Sequence, residues 1–258
     1  MDINVKGLRV IITAGGSGIG RVIAEKFSNE GAHVHICDIQ ENNLIECQSV
    51  LPDVGTTLCD VSDPQQVSIL FQEAKKSLNG LDVLINGAGI AGPTAGVQNI
   101  EPDEWDLSMR IGINSQFYCA RLAVPLLIES GGGSIINFSS SAGLMGYPFR
   151  SPYATAKWAV IGFTKTLAME LGQYQIRVNA MCPGSVEGER MDRVIEAEAK
   201  AKGMSEEEVR KTLVQGTSLK TFVSAEDIAD MSIYLCSKAG SRITGQSVSV
   251  DGYTETLR

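Results

Sequence analysis

The glycine-rich turn Thr13-Ala14-Gly15-Gly16-Ser17-Gly18-Ile19-Gly20 constrains this chain more than any other feature, because of what flanks it. Leu8 to Thr13 is almost wholly apolar, as expected of a strand buried on both faces. Gly18 to Asn29 sets Ile19, Val22, Ile23 and Phe27 at helical spacing, and Gly31 follows as a stop. The same alternation runs on down the chain. Strands are expected at 32–37, 56–59, 81–85, 134–138, 176–181 and 246–250. Helices are expected at 41–50, from an Asp63 cap and Pro64 to 78, and at 102–128 and 151–172. Repeated strand–helix units imply an α/β fold: a doubly wound, mostly parallel seven-stranded sheet with helices on both faces. Without a Pro/Ser-rich linker, 1–258 is expected to be a single domain. The polar segment 185–224 breaks the alternation. It carries a capping box, Ser205 with Glu208, and reads as one or two helices standing off the sheet.

Composition narrows the function classes. Apolar residues make up 43% and charged residues 20%, which excludes a disordered chain. A net charge of −8 with no run of Lys and Arg argues against nucleic acid and anionic lipid as partners. No stretch nears the roughly 18 uninterrupted apolar residues of a membrane span. MDINVKGLRV lacks the apolar core of a secretory signal, and the six scattered cysteines read as reduced thiols, so the expected location is the cytoplasm. His33 and His35 alternate on a strand, but no third ligand accompanies them and no metal is expected. Trp105 and Trp158 fall in helical stretches and read as packing residues, within the fold or at a subunit interface.

The turn itself carries chemistry. A helix N-terminus presents unpaired N–H groups and partial positive charge, which attract a pyrophosphate. Gly18 and Gly20 leave room for close backbone approach, and no Gly-Lys-Ser/Thr ending supports a P-loop, so the turn reads as a dinucleotide site. Asp38 ends the second strand. A carboxylate there can accept from a ribose diol and repels a 2′-phosphate; Ile39 and Ser17 supply no positive charge, so NAD is favoured over NADP. Capping of a turn is the plainer alternative for Asp38. Further on, Tyr153 and Lys157 stand four apart at the start of a helix and share a face. An ammonium beside a phenol favours the phenolate and suits the tyrosine to acid–base work.

These motifs, in this order, resemble the short-chain dehydrogenase/reductase family, of the single-domain type with about 250 residues. The resemblance covers nearly the whole chain. It rests on Thr13, Gly18 and Gly20, on Asp60-Val61, on Asn86-Gly87-Ala88-Gly89, on Ile136 to Ser140, on Tyr153 and Lys157, and on Pro183-Gly184. The resemblance implies a Rossmann-type fold and a catalytic group of Asn114, Ser140, Tyr153 and Lys157. It implies cofactor contacts from Thr13, Gly15, Ser17, Gly18, Ile19, Gly20, Asp38, Ile39, Asp60, Val61, Asn86, Ala88, Gly89, Tyr153, Lys157, Pro183, Gly184 and Val186. It also implies that 185–224 closes over substrate and that the chain forms a homotetramer or dimer through its two long helices. The chain departs from the family pattern at Ala14, at Gly87, and at Ser185 to Gly188, where a Thr is usual.

The expected reaction is hydride transfer between NAD and a secondary alcohol or its ketone. Ser140 and Tyr153 would meet the substrate oxygen. Arg150, three residues before Tyr153, and Arg190 and Arg193 in the mobile segment could fork onto an anionic group, as in a hydroxy acid, sugar acid or hydroxysulfonate. Pairing with carboxylates is the alternative for these arginines. Two other readings compete: a 3-oxoacyl-[acyl-carrier-protein] reductase, against which Asp38 and the acidic charge argue, and a non-catalytic NAD-binding scaffold, which would have little need of Ser140, Tyr153 and Lys157 together.

Overall fold

A computed structural model describes residues 2–257. Seven strands form one sheet in the order β3-β2-β1-β4-β5-β6-β7, and every pair is parallel. The strands are β1 (Arg9–Thr13), β2 (His33–Asp38), β3 (Gly55–Leu58), β4 (Val83–Asn86), β5 (Gly133–Phe138), β6 (Ile176–Pro183) and β7 (Ser247–Val250). The helices are α1 (Gly18–Asn29), α2 (Glu41–Val50), α3 (Pro64–Leu78), α4 (Pro102–Met109), α5 (Ser115–Glu129), α6 (Ser151–Leu171), α7 (Glu189–Lys202), α8 (Glu206–Gln215) and α9 (Ala225–Cys236).

Side-chain alternation along the strands separates two cores. Val10 and Ile12 of β1 face α1, α2 and α9, whereas Ile11 faces the α3 and α5 side. Ile23 and Phe27 of α1 are wholly buried there, each contributing about 1.5–3 kcal/mol. The chain order reverses between β1, which pairs with β2, and β4. That switch point opens a crevice at the strands' carboxyl ends, which is where α/β sheets bind ligands.

Two elements differ from the sequence expectation, and the polar segment at 185–224 follows it. The helix at 102–128 is not uniform: a π-helical segment, Arg110–Asn114, joins α4 to α5. By length and composition alone this stretch could cross a membrane, yet it packs beside the sheet, with α5 against β4 and β5 and α4 against α6. Helix α9, between β6 and β7, is absent from the sequence expectation, although Ile228, Ala229, Ile233 and Cys236 fall at helical spacing and a capping box of Ser224 with Asp227 opens it. The segment at 185–224 forms two helices, α7 and α8, around a small core of Ile195, Ala199, Val209, Leu213 and Phe222. Its ends meet in a bridge between Val186 and Val223, so the excursion leaves and rejoins the fold at the end of β6.

The two histidines do not act as a pair. His33 is exposed at the start of β2, whereas His35 is enclosed and hydrogen-bonded at 2.8 Å to both Ser77 and Thr57. Among the described residues no cluster suited to a metal occurs, and all six cysteines are free and buried. Burial lowers the His35 pKa from 6.5 to about 4. The folded state therefore resists a proton that the unfolded chain accepts below about pH 6.5. Stability is full above that pH and falls by about 3 kcal/mol as pH drops through 4. Urea unfolding across this window is expected to weaken more steeply for the wild type than for His35→Gln.

Candidate active site

The glycine turn sits at the carboxyl end of β1 and is braced from behind. The N–H of Gly15 donates to Cys37 O at 2.9 Å. Thr13 Oγ1 accepts from the N–H of Ala88 at 3.1 Å, tying the turn to the segment after β4. Ala14 takes a left-handed conformation, φ +52°, which costs a residue with a Cβ about 1–2 kcal/mol. The glycines serve for different reasons. A Cβ at Gly20 would stand 2.1 Å from Ala14 O, so the helix could not start so close to the strand. Gly18 has φ +52° and nothing within 4 Å of a Cβ placed on it, so it borders open space. At Gly87 a Cβ would stand 2.8 Å from Thr13 O; the small residue lets the two segments touch.

The turn fits a dinucleotide. Ser17 makes no side-chain cap to α1 and no acidic residue stands in its first turn, so the N–H groups and the positive end of α1 face the crevice. Asp38 is 5% exposed. Its Oδ1 accepts from the N–H of Gln40 and from Asn43 Nδ2, the turn-capping role. Its Oδ2 lies on the Gly16 side, 3.0 Å from a Cβ placed there. One carboxylate oxygen thus caps the chain while the other faces the glycine turn. Asp60 caps its own turn through Ser62, Val61 is buried, and Ile39 is exposed. Asn86 donates to Asn137, which donates to Thr164, a buried chain running from β4 through β5 to α6. Ser17 and Gly18 are exposed, Ile19 and Gly89 half-buried, and Pro183 and Val186 buried where β6 ends; Gly184 donates to Val250 O.

Tyr153 and Lys157 come to the same edge from α6. Lys157 is 4% exposed, and its Nζ donates to Phe138 O at 2.8 Å and lies 3.5 Å from a Cβ placed on Gly89. Ser139 Oγ donates to Lys157 O, and a Cβ at Gly143 would strike both of these oxygens. Nζ stands 5.7 Å from the centre of the Tyr153 ring. Burial alone would raise the Tyr153 pKa, but the Lys157 ammonium, then Arg190, the Ser140 hydroxyl and Arg150, outweigh it and the net direction is down. Burial also lowers the Lys157 pKa, with Tyr153 opposing. Ser140 accepts from the N–H of Ala142 and remains half-buried, so capping and proximity to the phenol coexist.

The other expected site residues have different surroundings. Asn114 ends the π-helical segment with an exposed side chain and makes no hydrogen bond to Lys157 among the described residues. It is Gly112 of that segment that meets α6: a Cβ there would stand 2.7 Å from that of Ala156. Arg150, expected to reach substrate, is 2% exposed, 3.8 Å from Glu198 of α7, and donates to Ala91 O at 2.8 Å. Its charge already faces a buried carboxylate, which corrects the expectation of an open anion site at that side chain. Arg193 pairs loosely with Glu189 on the surface. Arg190 is exposed and makes no salt bridge among the described residues, yet lies near enough to Tyr153 and Lys157 to lower the pKa of both. Trp105 and Trp158 are exposed at 36% and 51%, and so are not core residues. The sequence reading missed Tyr147 and Glu198, whose hydrogen bond closes α7 against the segment before Tyr153.

Comparison with known proteins gives consistent matches. A family model described as Enoyl-(Acyl carrier protein) reductase matches residues 13–254. The D-beta-hydroxybutyrate dehydrogenase of Rhizobium meliloti is 31% identical, over 94% of this chain and 96% of its own length. The 3-oxoacyl-[acyl-carrier-protein] reductase FabG of Thermotoga maritima is 32% identical, over 96% and 98%. Among solved structures, NAD+-bound xylitol dehydrogenase superposes with a TM-score of 0.93 at 25% identity, covering 96% of this chain and 98% of that one.

Proposed function

Because the chain belongs to the short-chain dehydrogenase/reductase family, an oxidoreductase family with a Rossmann-type sheet, we propose that it moves a hydride between NAD and a secondary alcohol that carries an anionic group. The carrying observation is the Tyr153–Lys157 pair at the crevice edge, with Arg190 beside it and uncommitted to any carboxylate among the described residues.

NAD would supply the hydride acceptor. The α1 N-terminus would hold its pyrophosphate, Asp38 Oδ2 its adenosine ribose, and Lys157 its nicotinamide ribose. The remaining work falls to the protein. Tyr153, its pKa lowered, takes the hydroxyl proton during oxidation and returns it during reduction. Ser140 hydrogen-bonds the same oxygen as its charge changes. The α7–α8 segment covers the bound pair and excludes water. Asn114, exposed beside α6, holds water on the path from Lys157 to solvent. Exposed Phe117 of α5 and Trp158 and Met169 of α6 support self-association into a tetramer or dimer through those helices.

The anion would be a carboxylate: two D-beta-hydroxybutyrate dehydrogenases are among the relatives, and Arg190 offers the fork geometry. Arg190→Ala is expected to raise KM about tenfold to a hundredfold for a β-hydroxy acid and to leave KM for a neutral secondary alcohol nearly unchanged. Equal effects on both would remove the anion reading. A panel of hydroxy acids, polyols, hydroxysulfonates and 3-oxoacyl thioesters, followed by NADH absorbance, separates this reading from the carrier-protein reductase. For the cofactor, Asp38→Ala is expected to weaken NAD binding about tenfold to a hundredfold without weakening NADP, as calorimetry would show.

A further inference from the structure

Arg150 is among the largest fully buried side chains in the molecule. Its guanidinium lies 5.0 Å from the centre of the Tyr153 ring and 5.1 Å from that of Tyr147. Nη2 donates to Ala91 O, whereas Nε and Nη1 have no hydrogen-bond partner. The facing carboxylate, Glu198, is 1% exposed and its two oxygens are engaged by others. Oε1 accepts from the Tyr147 hydroxyl, and Oε2 binds Lys202 Nζ at 2.6 Å. Glu198 therefore attracts Arg150 across 3.8 Å without bonding its free donors. A buried guanidinium in that state keeps much of its field, and its nearest aromatic neighbours are the two tyrosines.

We propose that Arg150 is a positioning residue for Tyr153, and that Glu198 on α7 governs it, so that the seating of α7 is communicated to the catalytic phenol. Tyr153 is approached by Lys157 on its own helix, Arg190 from α7, Ser140 after β5, and Arg150 and Tyr147 from the segment before α6; Cys182 of β6 lies behind Lys157. Each of these is cationic or neutral. Glu198 supplies the negative charge bound into the set, and it arrives on the helix that would move. With α7 seated, Glu198 fixes the guanidinium over the ring and offsets part of its charge. With α7 displaced, Arg150 loses both its anchor and its counter-charge, and the phenol experiences a different field.

This inference rests on reading Tyr153 as the acid–base group, so its test must not depend on turnover. Tyrosinate absorbance is titrated in the substrate-free protein, with Tyr153→Phe as the blank. Arg150→Gln is expected to raise the Tyr153 midpoint by about half to one pH unit, and Arg150→Lys to restore most of it. Glu198→Gln is expected to lower the midpoint by a similar amount. If Glu198→Gln fails to fold, the two Arg150 variants still decide, because Lys202 continues to compensate Glu198 in both. An unmoved midpoint in Arg150→Gln, or shifts of the same sign on removing either charge, overturns the proposal. No hydride transfer with any substrate would remove the functional reading and leave the titration standing. An unmoved titration in an active enzyme would overturn this proposal and leave the functional reading standing.

Discussion

Replacing Tyr153 with Phe is expected to lower kcat about a thousandfold while the affinity for NAD stays near that of the wild type. The substitution deletes one hydroxyl and leaves the ring that packs beneath Arg150 and beside Lys157. What disappears is proton transfer to and from the substrate oxygen, a step for which a positioned group contributes about 10²–10⁴-fold. The cofactor contacts proposed for the turn, Asp38 and Lys157 would be untouched. The wild-type enzyme should also gain activity in the oxidation direction as pH rises toward the phenol's lowered pKa, because in the proposed reaction the phenolate accepts the proton. Stopped-flow NADH formation across pH, with NAD binding measured separately, tests both. An unchanged kcat would remove Tyr153 from the acid–base role given to it.

Gly20→Ala should be the most damaging small change in the cofactor site. The added methyl would lie 2.1 Å from Ala14 O, and that oxygen belongs to backbone. Ala14 is already in a left-handed conformation, so the turn has little freedom to yield. The strand and helix must separate, costing about 1–3 kcal/mol of stability. The N–H groups of α1 then lose their common aim, and NAD affinity should fall at least about a hundredfold. Calorimetric binding together with thermal unfolding would show both losses, whereas unaltered binding would contradict the role given to the turn. The Gly87 departure acquires a physical sense here: the β1 turn and the segment after β4 meet closely at Thr13, which puts a premium on a small residue at Gly87. Nothing in the structure explains the Ala14 departure.

Local patterns accounted for most of the secondary structure. The bounds of α1, α2 and α3 follow directly from apolar spacing, the Asp63 cap and Pro64 at the first helical position. The capping box at Ser205 marks α8 for the same reason: its donors and acceptors lie three residues apart. The strand edges shift by a residue or two, because pairing with a neighbour, rather than composition, ends a strand. Helix α9 lacked a Glu or Gln at the box position, having Asp227 instead, and its pattern follows a long polar segment. The π-helical segment Arg110–Asn114 has no compositional mark at all; its Gly112 makes sense only once α6 lies against it.

What the sequence by itself determined is therefore everything carried by near neighbours along the chain: the alternating units, the glycine turn, Asp38 at the end of its strand, and Tyr153 one helical turn from Lys157. These are short-range facts of backbone geometry and side-chain period. Tertiary structure alone decided which charges meet. Arg150 and Glu198 are 48 positions apart, and nothing near either residue announces the other; only the packing of α7 against the segment before α6 turns an expected substrate cation into a buried, partly compensated one and leaves Arg190 at the crevice. Burial fixes that outcome, since a charge removed from water must find a partner wherever the fold supplies one.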